Sequence, residues 1–111
     1  MKSLKRISIV LGTRPEAIKL APVIMEVQKS ELFNLRIILT GQHKEIVNEV
    51  FEIFNITEDK NLKIMSHQQT LNQITIKVLE GLALDFQYWR PDLVLVQGDT
   101  TSAFAGALAS F

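Results

Sequence analysis

Four short runs of nearly bare apolar residues punctuate the chain, at 6–11, 35–39, 62–64 and 93–96, and a longer stretch of helical periodicity follows each. Apolar character without alternation marks a strand covered on both faces, as in a parallel sheet with helices on either side. After the first run, Ala17, Ile18, Ala21, Ile24 and Met25 recur at helical spacing. After the second, Ile46, Val47, Val50, Phe51 and Phe54 do so over 44–54. After the third, Leu71, Ile74, Val78, Leu82 and Phe86 trace a stripe that Ile76, Leu79 and Ala83 widen, and Pro91 closes the element. A last helix begins near Ser102. Four β–α units in succession predict an α/β, doubly wound parallel sheet. Right-handed crossovers predict the strand order third, second, first, fourth, which makes the first and fourth strands neighbours.

Ligands of open α/β sheets sit where the carboxyl ends of neighbouring strands diverge. The first exit reads GTRPEAIKLAP over 12–22. Gly12 allows a turn without a Cβ clash. Thr13 and Glu16 have capping-box spacing, and Pro15 falls in the first helical turn, where a missing N–H costs little. Such a junction aims free N–H groups and the positive helix end at one spot. Arg14 adds a planar fork of donors suited to phosphate, and Lys19 follows five residues later. A surface alternative stands beside this reading: a solvated Arg14, and a Glu16–Lys19 pair three residues apart on the helix. Pro22 removes one hydrogen bond inside the same helix and is expected to kink it.

The second exit is Thr40-Gly41-Gln42-His43 and the fourth is Gly98-Asp99-Thr100-Thr101. Asp99 is either a functional carboxylate or the N-cap of the last helix, a common place for aspartate. Thr70, with Gln73 three residues on, predicts a capping box at the start of the long helix.

Twelve basic residues balance twelve acidic ones, so the chain carries no electrostatic footprint for nucleic acid or an anionic membrane. It has no cysteine, which excludes disulfides and thiolate metal sites. His43 and His67 alone are too few for a histidine metal site. The short apolar run after the basic start is broken by Arg14, Glu16 and Lys19, unlike a signal peptide, and a cytoplasmic protein is expected. The final helix is apolar through Phe111 with no charged closing turn. The expectation is therefore the amino-terminal part of a longer protein.

These loops carry a family resemblance. GTRPEAIKLAPVI at 12–24, TGQH at 40–43, NLKIM at 61–65 and PDLVLVQGDTTSAFAGALA at 91–109 resemble the non-hydrolysing UDP-N-acetylglucosamine 2-epimerases. The likeness runs along essentially the whole chain, and GTRPE with QGDTT far downstream is far more specific than a lone glycine-rich loop. The resemblance implies a Rossmann-like fold, with residues 1–111 forming part of the amino-terminal domain of a two-domain, GT-B-type enzyme. The uridine-binding carboxyl-terminal domain and further carboxylates would lie outside this chain. It also implies an isomerase that interconverts UDP-N-acetylglucosamine and UDP-N-acetylmannosamine, with no cofactor and no metal. The intact protein would be a homodimer serving cell-surface polysaccharide biosynthesis.

By the same resemblance Asp99 is catalytic, Arg14 and Lys19 bind substrate, and Gln42 and His43 match a segment that in some bacterial members contacts a second, activating substrate molecule. Members with that activating site carry an arginine near the position of Gln68. Two other readings use the same residues: a non-catalytic nucleotide-sugar-binding fragment, and a hydrolysing epimerase or glycosyltransferase relative on the same fold.

Overall fold

Strand β1 (Lys5–Leu11) runs through the middle of the sheet, and its last five residues are buried. A computed structural model describes residues 4–41, 44–64, 69–98 and 100–111 of the chain. In chain order β1 is followed by α1 (Arg14–Lys29), β2 (Phe33–Leu39), α2 (Lys44–Ile53), β3 (Lys60–Asn61), α3 (Leu71–Tyr88), β4 (Leu93–Leu95) and α4 (Thr101–Ser110). The sheet order is β3-β2-β1-β4, as the crossover rule requires, and every described pairing is parallel.

Alternate residues of β1 feed two cores. Ile7, Ile9 and Leu11 pack with Ile37 and Leu39 of β2 beneath Ala17, Leu20, Ala21 and Ile24 of α1 and Val47, Val50 and Phe51 of α2. On the other face Val10 and Ile38 meet Val78 and Leu82 of α3 and Ala105 of α4. Helices thus cover both faces, which is why the strands lack polar alternation.

Some expected core positions lie outside. Ile18 is 47% exposed and Leu20 takes its place inward. Leu71 and Ile76 are also exposed and Ala83 is not buried, so the inner stripe of α3 is Val78 and Leu82, flanked by Ile74, Leu79 and Phe86. The side chain of Ile46 lies outside the described residues. Helix α1 is assigned as one unbroken helix through Pro22.

The third strand falls two residues earlier than 62–64. Asn61 Oδ1 accepts a hydrogen bond from the Lys63 N–H at 2.9 Å, and Lys63 turns to φ 54°. That local turn ends the extended run at Asn61. Backbone bonds from Leu62 N to Leu39 O and from Ile64 N to Thr40 O still keep the segment along β2.

The third helix opens on the expected capping box, with Gln73 N donating to Thr70 Oγ1 (3.1 Å) and Thr70 N donating to Gln73 Oε1 (2.8 Å). One feature of β2 departs from a bare apolar run. Arg36 makes a two-pronged salt bridge with Asp85 of α3, Nε to Oδ2 at 2.9 Å and Nη2 to Oδ1 at 2.7 Å. The Arg36 guanidinium also lies 5.4 Å from the centre of the Tyr88 ring. The hydrogen bonds to Asp85 hold its pKa above the ordinary arginine value, against burial, which lowers it.

Candidate active site at the strand exits

Parallel register puts the carboxyl ends of β1 and β4 side by side, with Ile9 opposite Leu95. Gly12 follows β1, and Gly98, at φ 87°, makes the turn after β4 that a side chain would strain. The exits are close enough to need glycine at position 12. A Cβ built there would fall within 2.5 Å of both Thr40 Oγ1 and Ser102 Oγ. Those two hydroxyls, from the end of β2 and the first turn of α4, are buried and hydrogen-bonded at 3.0 Å. Three elements therefore converge on one point at the top of the sheet.

Glu16 lies at the centre of this junction. It is only 2% exposed. Its Oε1 accepts from Gly12 N–H (2.9 Å) and Thr13 N–H (3.1 Å), and its Oε2 accepts from the Thr100 hydroxyl. The carboxylate half of the expected capping box is made. The hydroxyl half is loose: Thr13 Oγ1 is turned to the α1 first turn yet closes no well-formed hydrogen bond among the described residues.

This arrangement corrects the anion-nest reading in one respect. Two of the N–H groups at the first exit are already taken by Glu16. Pro15 has no N–H, so an anion approaching here meets mainly the Arg14 side chain and its first-turn amide. The surface alternative divides: its Glu16–Lys19 pair is not made, while Arg14 is the exposed first-turn arginine it describes. Glu16 faces inward and forms no pair with Lys19, and among the described residues neither Arg14 nor Lys19 has an ion-pair partner. Both are exposed. At about 100° per residue Lys19 stands about 140° around the helix from Arg14, so it would reach the exit only by its long stem.

The cap of α4 is Thr100, whose Oγ1 accepts from Ala103 N–H at 3.3 Å. The capping role considered for Asp99 is thus held by its neighbour. Asp99 itself lies outside the described residues, as do Gln42, His43, His67 and Gln68. No cluster of metal-ligating side chains occurs among the described residues. A groove of about 730 Å³ lies at the opposite end of the sheet, lined by Arg90, Pro91 and Leu93 at the entry of β4 and by Phe111, and it includes none of the candidate residues. The sequence reading gave Glu16 a local cap and gave Thr100 no role. The signal available for their contact was the hydroxyl run Thr100-Thr101-Ser102 directly after the fourth strand's exit.

A family model described as UDP-N-acetylglucosamine 2-epimerase matches residues 25–111, well over half of the chain. The chain belongs to this epimerase family. A putative UDP-N-acetylglucosamine 2-epimerase of Clostridium acetobutylicum is 47% identical over 111 residues, all of this chain and 29% of that protein. The UDP-N-acetylglucosamine 2-epimerase of Bacillus subtilis is 45% identical over the same length, again 29% of its own. The crystal structure of the Neisseria meningitidis epimerase bound to UDP-GlcNAc superposes with a TM-score of 0.91 at 43% identity, covering 96% of this chain and 29% of that one. The chain thus spans under a third of the length of these epimerase relatives, and it has their α/β fold.

Proposed function

We propose that the protein carrying this chain interconverts UDP-N-acetylglucosamine and UDP-N-acetylmannosamine, and that residues 1–111 form one wall of its cleft, part of an amino-terminal domain facing a second, uridine-binding domain. The single observation that carries the reading is the junction of the β1 and β4 exits, where the exposed Arg14, without an ion-pair partner among the described residues, opens α1 beside the capped start of α4. Family membership supplies the substrate class.

The reaction needs two changes at adjacent carbons. A base takes the proton from C2, the C1–O bond breaks, and UDP leaves with the bonding pair, giving a 2-acetamidoglucal. UDP then adds back at C1 while a proton arrives on the other face of C2. Negative charge grows on the departing diphosphate. Arg14, with its fork of donors, and Lys19 stabilise it as it develops. Asp99 works at the sugar, countering positive charge at C1 or moving the proton. Gln42 and His43 match the segment that contacts a second, activating substrate molecule in some members, although this chain has Gln68 where those members carry arginine. We place the enzyme in the cytoplasm as a homodimer, feeding cell-surface polysaccharide synthesis. No described helix is long and apolar enough to cross a membrane.

The test is proton exchange at C2. The full-length protein, incubated with UDP-N-acetylglucosamine in heavy water, should incorporate deuterium at C2 and yield the manno epimer, whereas residues 1–111 alone should not exceed a no-protein control. Release of free sugar with UDP, and no epimeric nucleotide sugar, would favour the hydrolysing relatives instead.

A further inference from the structure

We propose that Glu16 is a positioning residue: its buried carboxylate clasps the β1–α1 turn to the cap of α4 and fixes the spacing between the two helix starts that flank the cleft. The kinetic part of this proposal rests on the epimerase reading above.

The argument starts from what capping alone requires. A glutamate at the third helical position normally folds back to one amide at the surface and keeps its other oxygen in water. Glu16 does neither. It is buried, it takes two turn amides on one oxygen, and its second oxygen takes a hydroxyl from a residue 84 positions away. That hydroxyl is engaged in both directions, since Thr100 Oγ1 gives its one proton to Glu16 and accepts from Ala103 N–H on one lone pair. The rotor is therefore locked, and α4 cannot slide without breaking the bond to Glu16. The Thr40–Ser102 hydrogen bond packs against Gly12 from the other side and leaves no slack in the junction. Arg14 begins α1 directly above this point, and Asp99 precedes Thr100 in the chain. A group held by hydrogen bonds within a tight junction can lose much of its effect from a displacement of about 1 Å.

Glu16→Gln separates the clasp from the cap. The amide oxygen still serves the Gly12 and Thr13 N–H groups, but the NH₂ can only donate, so the Thr100 proton loses its partner and the charge-assisted bond gives way to a weaker neutral one of reversed direction. In the full-length protein Glu16→Gln should keep its melting temperature and lower kcat about 10- to 100-fold with little change in KM. Thr100→Val should lower kcat similarly, Thr100→Ser should restore it, and the Glu16→Gln/Thr100→Val pair should lose no more than either alone. Additive losses, or full turnover in Glu16→Gln, would overturn the proposal.

A second readout does not need activity. Amide exchange at Ala103 should quicken several-fold in Glu16→Gln, although residues 16 and 103 share no bond except through Thr100. Unchanged exchange there would remove the clasp even if turnover fell. If the parent protein shows no epimerisation, the functional reading fails and the Ala103 amide alone decides the clasp.

Discussion

Asp85→Ala offers the sharpest test of how α3 is held to the sheet. The Asp85 side chain is 4% exposed and the Arg36 side chain 16%, and both prongs of their bridge are short. Truncating Asp85 leaves a guanidinium that has lost most of its water and its partner together. Breaking a buried pair from one side costs about 3–5 kcal/mol, whereas a surface pair is worth about 0–1. Arg36 keeps some access to water and its contact with Tyr88, so the lower end, about 3 kcal/mol, is expected.

The chain's single tryptophan, Trp89, is a local probe, because its backbone N–H donates to the Asp85 carbonyl at 2.8 Å. Urea unfolding followed by its fluorescence should show the midpoint falling by about 1.5 M, taking a slope of about 2 kcal/mol per M. The apolar double replacement Arg36→Met with Asp85→Leu should recover most of the loss. The effect has a defined pH sense. The folded pKa of Arg36 is raised, so its contribution is complete below the unfolded value and is lost only as pH climbs through the folded one, beyond the ordinary arginine range. The Asp85→Ala penalty should therefore be the same at pH 7 and pH 10 (about neutral and well below arginine's range). A shift under about 1 kcal/mol, or a penalty that fades at pH 10, would refute the claim that the pair is desolvated and charged.

Two further predictions concern the exits. Gly12→Ala should destabilise by about 1–3 kcal/mol, read as a fall in melting temperature, because both facing hydroxyls are buried and already bonded to each other. In the full-length protein Arg14→Lys and Asp99→Asn should each leave the melting temperature near that of the parent while lowering kcat, Arg14→Lys by roughly 30- to 1000-fold. Normal turnover in Asp99→Asn would remove that carboxylate from the mechanism.

Much of this architecture is legible in the residues because local and global signals agree. The bare apolar runs around Ile9, Ile37 and Val94 imply parallel strands, and right-handed crossovers make β3-β2-β1-β4 the natural order, which the sheet adopts. Thr70 and Gln73 announce their own cap because both partners lie within one turn. What is harder to read is contact across distance. Glu16 looks like a local capping residue, and nothing near it in sequence points to Thr100. Arg36 is the one charge in an apolar strand and so signals a partner without saying where, whereas Asp85 shares its helix with Lys77 and Glu80 and nothing in the sequence singles it out. The early end of β3 turns on Asn61 and Lys63, where side-chain chemistry overrode an apolar pattern. Ile18 and Leu71 keep the right helical period but sit on the rim of the buried face.

The clasp between Glu16 and Thr100 also bears on the order in which the molecule is completed. The β1–α1–β2–α2 unit can close on short connections and supplies the first core, while α4 belongs to the second. Joining residues 84 positions apart carries an entropic cost that grows with the logarithm of the loop, and it is recovered only once the intervening elements are in place. Secondary structure, and even the larger core, can therefore exist before the strand exits are joined. The exits become a site with the last long-range contact, when the far half of the chain returns to the strand that began it.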